Sequence, residues 1–376
     1  MQTYLVGGAV RDLLMGLPVR DRDFVVVGEN AQSLLDRGFI PVGRDFPVFL
    51  HPHTKEEYAL ARTERKTAPG YRGFSVDAAS SVTLEEDLSR RDLTINSIAV
   101  AFNESKPAID LADCVDPFGG RHDIDNKILR HTGPAFREDP VRILRLARFA
   151  ARFPDFKVAP ETMAMMQAMV ASQEAEHLVA ERVWLEFSKG LMEQVPSRMV
   201  RTLQACGALQ VVMPALHAAI NDKTMLLLDY TANQHAALEV RFACLTHGLS
   251  GVPAFCTTHR VPAPYADLAA LLERNFGEVN HCDPCDGDKV VNILEQCDAF
   301  RKPERFALLL EALACIAHPT PYPLASLFTT ALQCAQSVNT ERVATQAMKE
   351  GKTGAAIGHA VSRARAQSVR DGLKTL

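Results

Sequence analysis

The sequence predicts an α+β protein, with a mixed strand-and-helix head over residues 1–138 and an all-helical remainder. Three observations carry this. Short β-rich runs punctuated by glycine crowd the first third of the chain. From about Asp139 onward the texture changes to Ala, Leu, Met, Arg and Glu at helical spacing, and strand signals stop. At 376 residues the chain exceeds one ordinary core and suits two or three domains.

The strand candidates, in order, are Tyr4–Val6, Phe24–Val27, Val48–Leu50, Glu57–Arg62 and Ile95–Phe102. The helical part breaks near Val195–Pro196 and again in the Pro319–Pro323 turn. The expected divisions are a head over 1–138, a neck over 139–205, a body over 206–320 and a tail over 321–376. No internal repeat or low-complexity run interrupts them.

With 47% hydrophobic and 23% charged residues, the composition is that of a folded globular chain rather than a disordered one. The formal net charge of −4 gives no global basic signal, so an RNA site here has to be a local basic surface. Nine cysteines, an odd number at irregular spacings, argue against a disulfide framework and fit a reducing cytoplasm. The apolar run Tyr4–Val10 is too short for a leader core, and Arg11 and Asp12 follow it directly. The uncharged stretches Thr202–Asn221 and Ala312–Thr340 are broken by polar residues and prolines, so both read as buried helices with turns and not as membrane spans.

The chemistry concentrates near the N-terminus. A strand runs into Gly7-Gly8 and then a helix through Ala9, Val10, Arg11 and Asp12. Glycine lets backbone approach a phosphate, and free N–H groups at a helix start favour anions. A double glycine alone more often marks an ordinary turn. Downstream, Arg20-Asp21-Arg22-Asp23 leads into the strand Phe24–Val27. A spacing of two places both carboxylates on one face of a strand. Paired carboxylates beside a phosphate-binding turn suit two metal ions, held roughly 3.5–4 Å apart, that activate a hydroxyl and steady a leaving pyrophosphate. The bland alternative is a solvated strand end, with Asp21 and Asp23 paired to Arg20 and Arg22. Glu57 is a weaker candidate for a third carboxylate.

Gly-Gly, a helix, then Asp-x-Asp on a strand resembles the nucleotidyltransferase superfamily of DNA polymerase β. More closely, the chain resembles the bacterial (class II) tRNA CCA-adding enzymes and their poly(A) polymerase relatives, in a form with a degenerate HD domain. Five separated motifs occur in the family's order between Met1 and about Gly190. They are Gly7-Gly8-x-Val10-Arg11-Asp12 with Asp21 and Asp23; Arg90-Arg91-Asp92-Leu93-Thr94-Ile95-Asn96; Asp116-Pro117-Phe118-Gly119-Gly120 through Asp123; Glu138-Asp139-Pro140-Val141-Arg142; and Glu181-Arg182 with Glu186. The resemblance implies a polymerase-β-like head and template-independent addition of C, C and A to the 3′ end of tRNA. The implied partners are tRNA, CTP and ATP, and the implied cofactor is Mg2+ on Asp21 and Asp23. It places Gly8, Arg11, Arg91, Asp92 and Asn96 at the nucleotide, with Arg91 and Asp92 on the ribose. The third motif becomes a hinge between head and neck.

The fourth motif also has a physical reading. Asp139-Pro140 makes a good helix start. Arg142, Arg145, Arg148 and Arg152 then fall along one side, opposite Ile143, Leu144, Ala147 and Ala150. A wet arginine face accounts for the outer arginines. For Asp139 and Arg142 the resemblance implies nucleobase selection, with Arg145 contributing. An Asp accepts from an exocyclic amino group and an Arg donates to ring acceptors, so such a pair selects C and A over U and G. Between Arg130 and Arg152 six arginines against Glu138 and Asp139 predict a nucleotide or RNA surface. The stretch from Arg62 to Ser81, containing Pro69, Gly70 and Gly73, reads as a mobile loop that in the family helps the pocket change from C to A.

Behind the neck, the position of the HD family's metal-binding His-Asp pair reads His247-Gly248, and glycine has no side-chain ligand. Residues 206–320 are therefore expected to be helical body without phosphohydrolase activity. His281-Cys282-Asp283-Pro284-Cys285 lacks a second ligand pair at zinc-finger distance and reads as a loop. Trp184 reads as a packing residue. The basic segment with Lys352, Arg363 and Arg365 is implied to touch tRNA. The run Gly43-Arg44-Asp45-Phe46-Pro47 lacks the extra basic residues of poly(A) polymerases, the nearest rival. A silent RNA-binding protein, the rival from another class, is expected to have lost Asp21 or Asp23, and both are present.

Overall fold

The computed structural model describes residues 1–42, 48–66, 74–105 and 108–374. The run at 43–47 and the centre of the expected loop, 67–73, lie outside them. Two compact units divide the chain, Met1–His217 and Ala218–Leu376.

The first unit opens on a mixed sheet. Its strands are β1 (Gln2–Val6), β2 (Asp23–Val27), β3 (Ile40–Val42), β4 (Val48–Leu50), β5 (Glu57–Leu60), β8 (Ala99–Phe102) and β9 (Cys114–Val115), in spatial order β3-β4-β5-β2-β1-β8-β9. The strands β6 (Thr63–Lys66) and β7 (Phe74–Asp77) pair separately as an antiparallel ribbon. β1 lies between antiparallel neighbours β2 and β8, and β2 pairs in parallel with β5. Both faces of the central strands are covered. Leu5, Phe24, Val26, Tyr58, Leu60 and Val100 pack on one side, and Val6, Val25 and Ala99 on the other. Hence β1 and β2 read as continuous apolar runs rather than alternating ones.

The helices of this unit are α1 (Gly8–Leu14), α2 (Ala31–Asp36), α3 (Leu84–Ser89), α4 (Gly120–Asp125), α5 (Val141–Arg152), α6 (Pro160–Ala171), α7 (Ala180–Leu191), α8 (Pro196–Ala205), α9 (Ala208–Val212) and α10 (Pro214–Ala219), the last crossing the division. α5 packs against α7 and α8, and Ile143, Leu144, Ala147 and Ala150, the face expected from their spacing, are all buried. A parallel pair, β10 (Ile128–Leu129) with β11 (Lys157–Val158), places a short strand beyond Asp139, where none was expected.

Three strand expectations shift. Glu57–Arg62 ends at Leu60, because the Arg62 amide turns to the Asp87 carboxylate. Ile95–Phe102 begins only at Ala99. Thr94–Asn96 forms a 3-10 turn, with Thr94 and Asn96 bonded to Asp123 and Asp92. β3 went unpredicted because Pro41 lies inside it, which suits its place at the sheet edge.

The second unit holds α11 (Asp222–Asn233), α12 (Leu238–Thr246), α13 (Val252–Thr258), α14 (Ala263–Asn280), α15 (Gly287–Gln296), α16 (Pro303–Ala317), α17 (Leu324–Gln336), α18 (Thr340–Lys349) and α19 (Ala355–Leu373). α12 packs on α14 and α16, and α19 on α15, α17 and α18. Phe242, Leu268, Phe306, Leu309 and Phe328 fill its core. The helix breaks fall where the prolines predicted, between α7 and α8 and between α16 and α17. All nine cysteines are free thiols. Among the described residues no helix is long and apolar enough to cross a membrane.

Candidate active site

β1 delivers the chain to Gly7, which takes φ +69° and accommodates the Arg91 guanidinium; a Cβ there would lie 2.9 Å from Arg91 Nη1. In the sheet register Val6 faces Asp23, and Asp23 lies beside Glu57 on the parallel strand β5. Asp23 is the first residue of β2 and Asp21 precedes the strand, so the two carboxylates do not both sit in regular pleat. They are nonetheless close enough to feel each other. Surrounding protein pushes the Asp23 carboxyl upward, Arg91 opposes this, and the negative charge of Asp21 adds to the rise.

The bland pairing of these acids with their flanking arginines is not what forms. Arg22 Nε donates instead to Glu56 Oε1 at 2.6 Å, and its guanidinium lies over the rings of Phe24 and Phe102. Among the described residues neither Asp21 nor Asp23 joins an ion pair; both residues are exposed by surface area, though neighbouring protein crowds the Asp23 carboxylate. Two mutually repelling, unpaired carboxylates form a donor set suited to divalent cations. Glu57 stands in register with Asp23 on β5, and no three His, Cys, Asp or Glu gather as a metal-binding group among the described residues. Phosphate oxygens and water would have to fill the remaining coordination positions.

Next to this pair runs a chain of charged bonds. Asp87 on α3 is fully buried and holds both Arg90 and Arg91. Arg91 reaches it through Nε and Nη2, which leaves Nη1 above Gly7. Arg11 on α1 is buried over the rings of Phe149 and Phe153, 5.1 and 5.3 Å from their centroids. It donates to Asp12 Oδ1 at 2.7 Å and to Asn96 Oδ1 at 2.6 Å. Asn96 Nδ2 in turn donates to Asp92 Oδ1 at 2.9 Å. Asp92 Oδ2 accepts Arg145 Nε at 2.8 Å. Burial alone would raise the Asp92 carboxyl, but Arg145, the Asn96 bond and the nearby Arg142 together hold it well below the usual carboxylate range. The predicted residues Arg11, Arg91, Asp92, Asn96 and Arg145 thus converge, and Gly8 lies against the Arg11 guanidinium.

At the start of α5 the expected cap is displaced by one residue. Pro140 takes the cap position, and the Asp139 carboxylate accepts the Val141 N–H at 3.0 Å. Asp139 also receives a two-pronged bond from Arg182 on α7, at 3.2 and 2.8 Å. Arg142 Nη1 donates to the Ala135 carbonyl.

The arginine side of α5 is not a wet face. Arg148 bonds Glu186 at 2.7 Å and approaches Glu193, and Arg152 donates to Asp12 Oδ2 at 2.9 Å. Arg130 is bound by Asp123 and Glu161. The positive charge counted over Arg130–Arg152 is therefore met in part by acids from elsewhere in the chain, at Arg130, Arg145, Arg148 and Arg152.

The third motif braces the second. Asp116 accepts the Gly120 and Arg121 amides, and Asp123 holds Thr94 at 2.7 Å. Gly120 sits so close to the Thr94 carbonyl that a Cβ would collide with it. Sequence reasoning missed Asp12, Asp87, Arg152 and Arg182 as partners of the site. Only their places inside or beside the motifs could have pointed to them. In the second unit the His247 ring packs on Phe276, Gly248 takes φ +104°, and Cys282 is buried while Cys285 is exposed. Trp184 is buried, as expected.

Residues 3–130 match the sequence profile of the poly A polymerase head domain, and residues 155–220 that of the "Probable RNA and SrmB- binding site of polymerase A". A protein of Variovorax paradoxus (strain S110) named "Multifunctional CCA protein" is 47% identical, covering 98% of this chain and 99% of its own length. A protein of the same name from Polaromonas naphthalenivorans (strain CJ2) is 49% identical, covering 98% of each. The crystal structure of the Bacillus stearothermophilus CCA-adding enzyme in complex with CTP superposes with a TM-score of 0.71 at 25% identity, over 99% of this chain and 89% of that one.

Proposed function

The chain belongs to the bacterial class II CCA-adding enzymes of the tRNA nucleotidyltransferase and poly(A) polymerase family, and from that premise we propose how its side chains divide the work. The protein adds C, C and A to the 3′ end of tRNA from CTP and ATP and releases pyrophosphate, without a nucleic-acid template. The observation that carries the catalytic assignment is the pair Asp21 and Asp23, unpaired at the start of β2 beside the Gly7-Gly8 turn.

The family uses divalent metal. In this reading the ion is Mg2+, held by Asp21 and Asp23, and it would lower the pKa of the tRNA 3′-hydroxyl and offset charge on the departing pyrophosphate. The chain's own groups do the rest. Gly7 and Gly8 keep side chains away from the triphosphate. Arg91, anchored by Asp87, presents Nη1 over Gly7 toward the sugar-phosphate end. Arg11 and Asn96 fix the floor between α1 and α5.

Asp139 and Arg142 read the base. Among the described residues Asp139 Oδ2 accepts one bond, from Arg182, and it keeps an acceptor position for an exocyclic amino group. CTP and ATP offer that amino group beside a ring acceptor for Arg142, whereas UTP and GTP invert the pattern. The divisions 1–138, 139–205, 206–320 and 321–376 are the working head, neck, body and tail of this reading. The basic tail residues Lys352, Arg363 and Arg365 are the tRNA contacts of this reading, with Arg365 held over the Phe300 ring beside Glu295, and the cytoplasm is the compartment.

Incubation of the purified protein with tRNA lacking its 3′ CCA tests the function directly. CTP alone should add two residues, ATP alone none, and both together the full triplet. Extension by ATP alone on tRNA ending in CC, with no use of CTP, would mark an A-adding enzyme instead.

A further inference from the structure

We propose that Arg22 is a positioning residue for the two carboxylates that flank it: its clamp on Glu56 sets the direction in which Asp21 and Asp23 project. This rests on the nucleotidyl-transfer reading above, in which Asp21 and Asp23 hold the divalent ion, and adds what keeps them converged.

The chain needs such a hold here. Residues 17–22 carry no regular secondary structure, and the sheet register begins only at Asp23, opposite Val6 on β1 and Glu57 on β5. Asp21 and Arg22 therefore lie outside the ladder that fixes β2. The Arg22 side chain stands in for it. Its Nε donates to Glu56 Oε1 at 2.6 Å, and Nη2 reaches the same oxygen. Its guanidinium lies 5.7 and 6.0 Å from the ring centroids of Phe24 and Phe102. Both anchors are themselves fixed. Phe24 is buried, stacked on Tyr58 at 4.5 Å and tilted against Phe102 at 4.6 Å. Glu56 closes the tip between β4 and β5: its carbonyl accepts the His51 N–H at 2.9 Å, and the next residue, Glu57, pairs with Leu50.

Alternation along an extended chain does the rest. With Arg22 and Phe24 directed to one side, Asp21 and Asp23 are directed to the other. There the Asp23 carboxyl feels both the charge of Arg91 and that of Asp21. The clamp itself contributes little to stability, because the Arg22 and Glu56 side chains are 37% and 21% exposed. Groups that hold metal ligands from behind act on affinity instead, and losing one weakens metal binding roughly 10- to 100-fold. A field effect of the two charges would look different. Arg22 repels a nearby cation and Glu56 attracts it, so by charge alone their removal shifts affinity in opposite directions. By position, both removals weaken it.

The test is a Mn2+ titration, followed by electron paramagnetic resonance, of the full chain saturated with a non-hydrolysable CTP analogue. Wild type is compared with Arg22→Met, Glu56→Ala, Glu56→Gln and the Arg22→Met/Glu56→Ala double variant, with Asp23→Ala as the blank for metal held by nucleotide alone. Arg22→Met and Glu56→Ala should each raise the Mn2+ Kd about tenfold. Glu56→Gln, which keeps an acceptor for Arg22, should recover most of that loss. The double variant should bind no more weakly than the weaker single, since both break one bond. In extension of tRNA lacking CCA, the Mg2+ needed for half-maximal rate should rise in parallel, while the rate at saturating Mg2+ returns to the wild-type value. Tighter Mn2+ binding in Arg22→Met would show a field effect and overturn the proposal. Unchanged affinity, additive losses in the double variant, or equal losses in Glu56→Gln and Glu56→Ala would overturn it too. Should Arg22→Met fail to fold, the comparison of Glu56→Gln with Glu56→Ala decides. Wild-type Mn2+ affinity in Asp23→Ala would remove the metal reading and the proposal with it, whereas loss in Asp23→Ala with wild-type affinity in the clamp variants rejects the proposal alone.

Discussion

The Arg152 guanidinium at the end of α5 donates to Asp12 Oδ2 at 2.9 Å, across 140 residues of sequence. The other Asp12 oxygen holds Arg11, itself almost wholly buried. One aspartate in the first helix thus bonds the buried Arg11 and α5 together. Asp12→Ala leaves Arg11 buried with only Asn96 and its two aromatic neighbours. The expected cost is about 3 kcal/mol, the scale for orphaning a buried charge, read as a lower urea midpoint at unchanged m-value. A midpoint within error of wild type would mean that the bond carries no net stability.

Asp21 and Asp23 should behave in the opposite way. Neither is tied into the fold by an ion pair, and the Asp23 carboxyl is pushed up by its surroundings. Asp23→Ala and Asp21→Ala should each abolish nucleotide addition while the thermal midpoint stays level or rises. Near-wild-type turnover of Asp23→Ala with Mg2+ would remove these residues from the metal.

Base selection should depend on Arg182 through its hold on Asp139. Arg182 holds both oxygens of Asp139. Arg182→Ala should therefore blur CTP and ATP against UTP and GTP in the same direction as Asp139→Ala or Arg142→Ala, each losing ~1–3 kcal/mol of discrimination. The check is the misincorporation ratio for each nucleotide on tRNA ending in CC. If Arg182→Ala matches wild type while Asp139→Ala does not, Asp139 keeps its position without that partner.

These contacts also mark how far the chain alone could be read. Local patterns were legible. Gly7-Gly8, Asp-x-Asp at 21 and 23, the apolar side of α5 and the proline breaks all express rules acting within a few residues. The bonds Arg11 to Asn96, Arg145 to Asp92 and Arg152 to Asp12 join residues 85, 53 and 140 positions apart. No periodicity reports such pairs. For that reason the stripe Arg142, Arg145, Arg148, Arg152 looked like a solvated or RNA-facing side, when three of the four are spent on acids of the head and of α7. Pro41 hid an edge strand, and Asn96 ended a β-like run by turning its amide into the polar chain.

The Asp92–Arg145 bond also predicts a response to acid. Asp92 has its folded pKa depressed, so its contribution is present above the unfolded value and is lost as pH falls through the folded one. Wild type should exceed Asp92→Asn in stability by about 2 kcal/mol at neutral pH, less than for a fully buried pair because Arg145 still meets water. That gap should close only below about pH 4, the ordinary range for Asp. Urea midpoints of the two proteins from neutral pH down to about 3 provide the measurement, and a gap that ignores pH would show that the carboxylate charge is not what stabilises.

The second unit should not hydrolyse phosphate esters. An HD-type hydrolytic centre needs a carboxylate beside clustered histidines to hold its metal. Here the residue after His247 is Gly248, with φ +104° and no side chain to ligate. The His247 ring packs on Phe276 at 4.4 Å between centroids, and burial lowers its pKa. His259 packs likewise against Phe255 at 4.4 Å. Both imidazoles rest on aromatic neighbours, and among the described residues no three potential ligands gather. Assays with p-nitrophenyl phosphate and with a 2′,3′-cyclic nucleotide, each supplied with Ni2+ or Co2+, should give rates at the no-enzyme background. Cyclic-nucleotide hydrolysis by the pure protein that disappears in His247→Ala would show a working centre there. Its metal would then need ligands brought in from beyond the His247 turn, with Asp283 or Asp286 as the first acids to substitute.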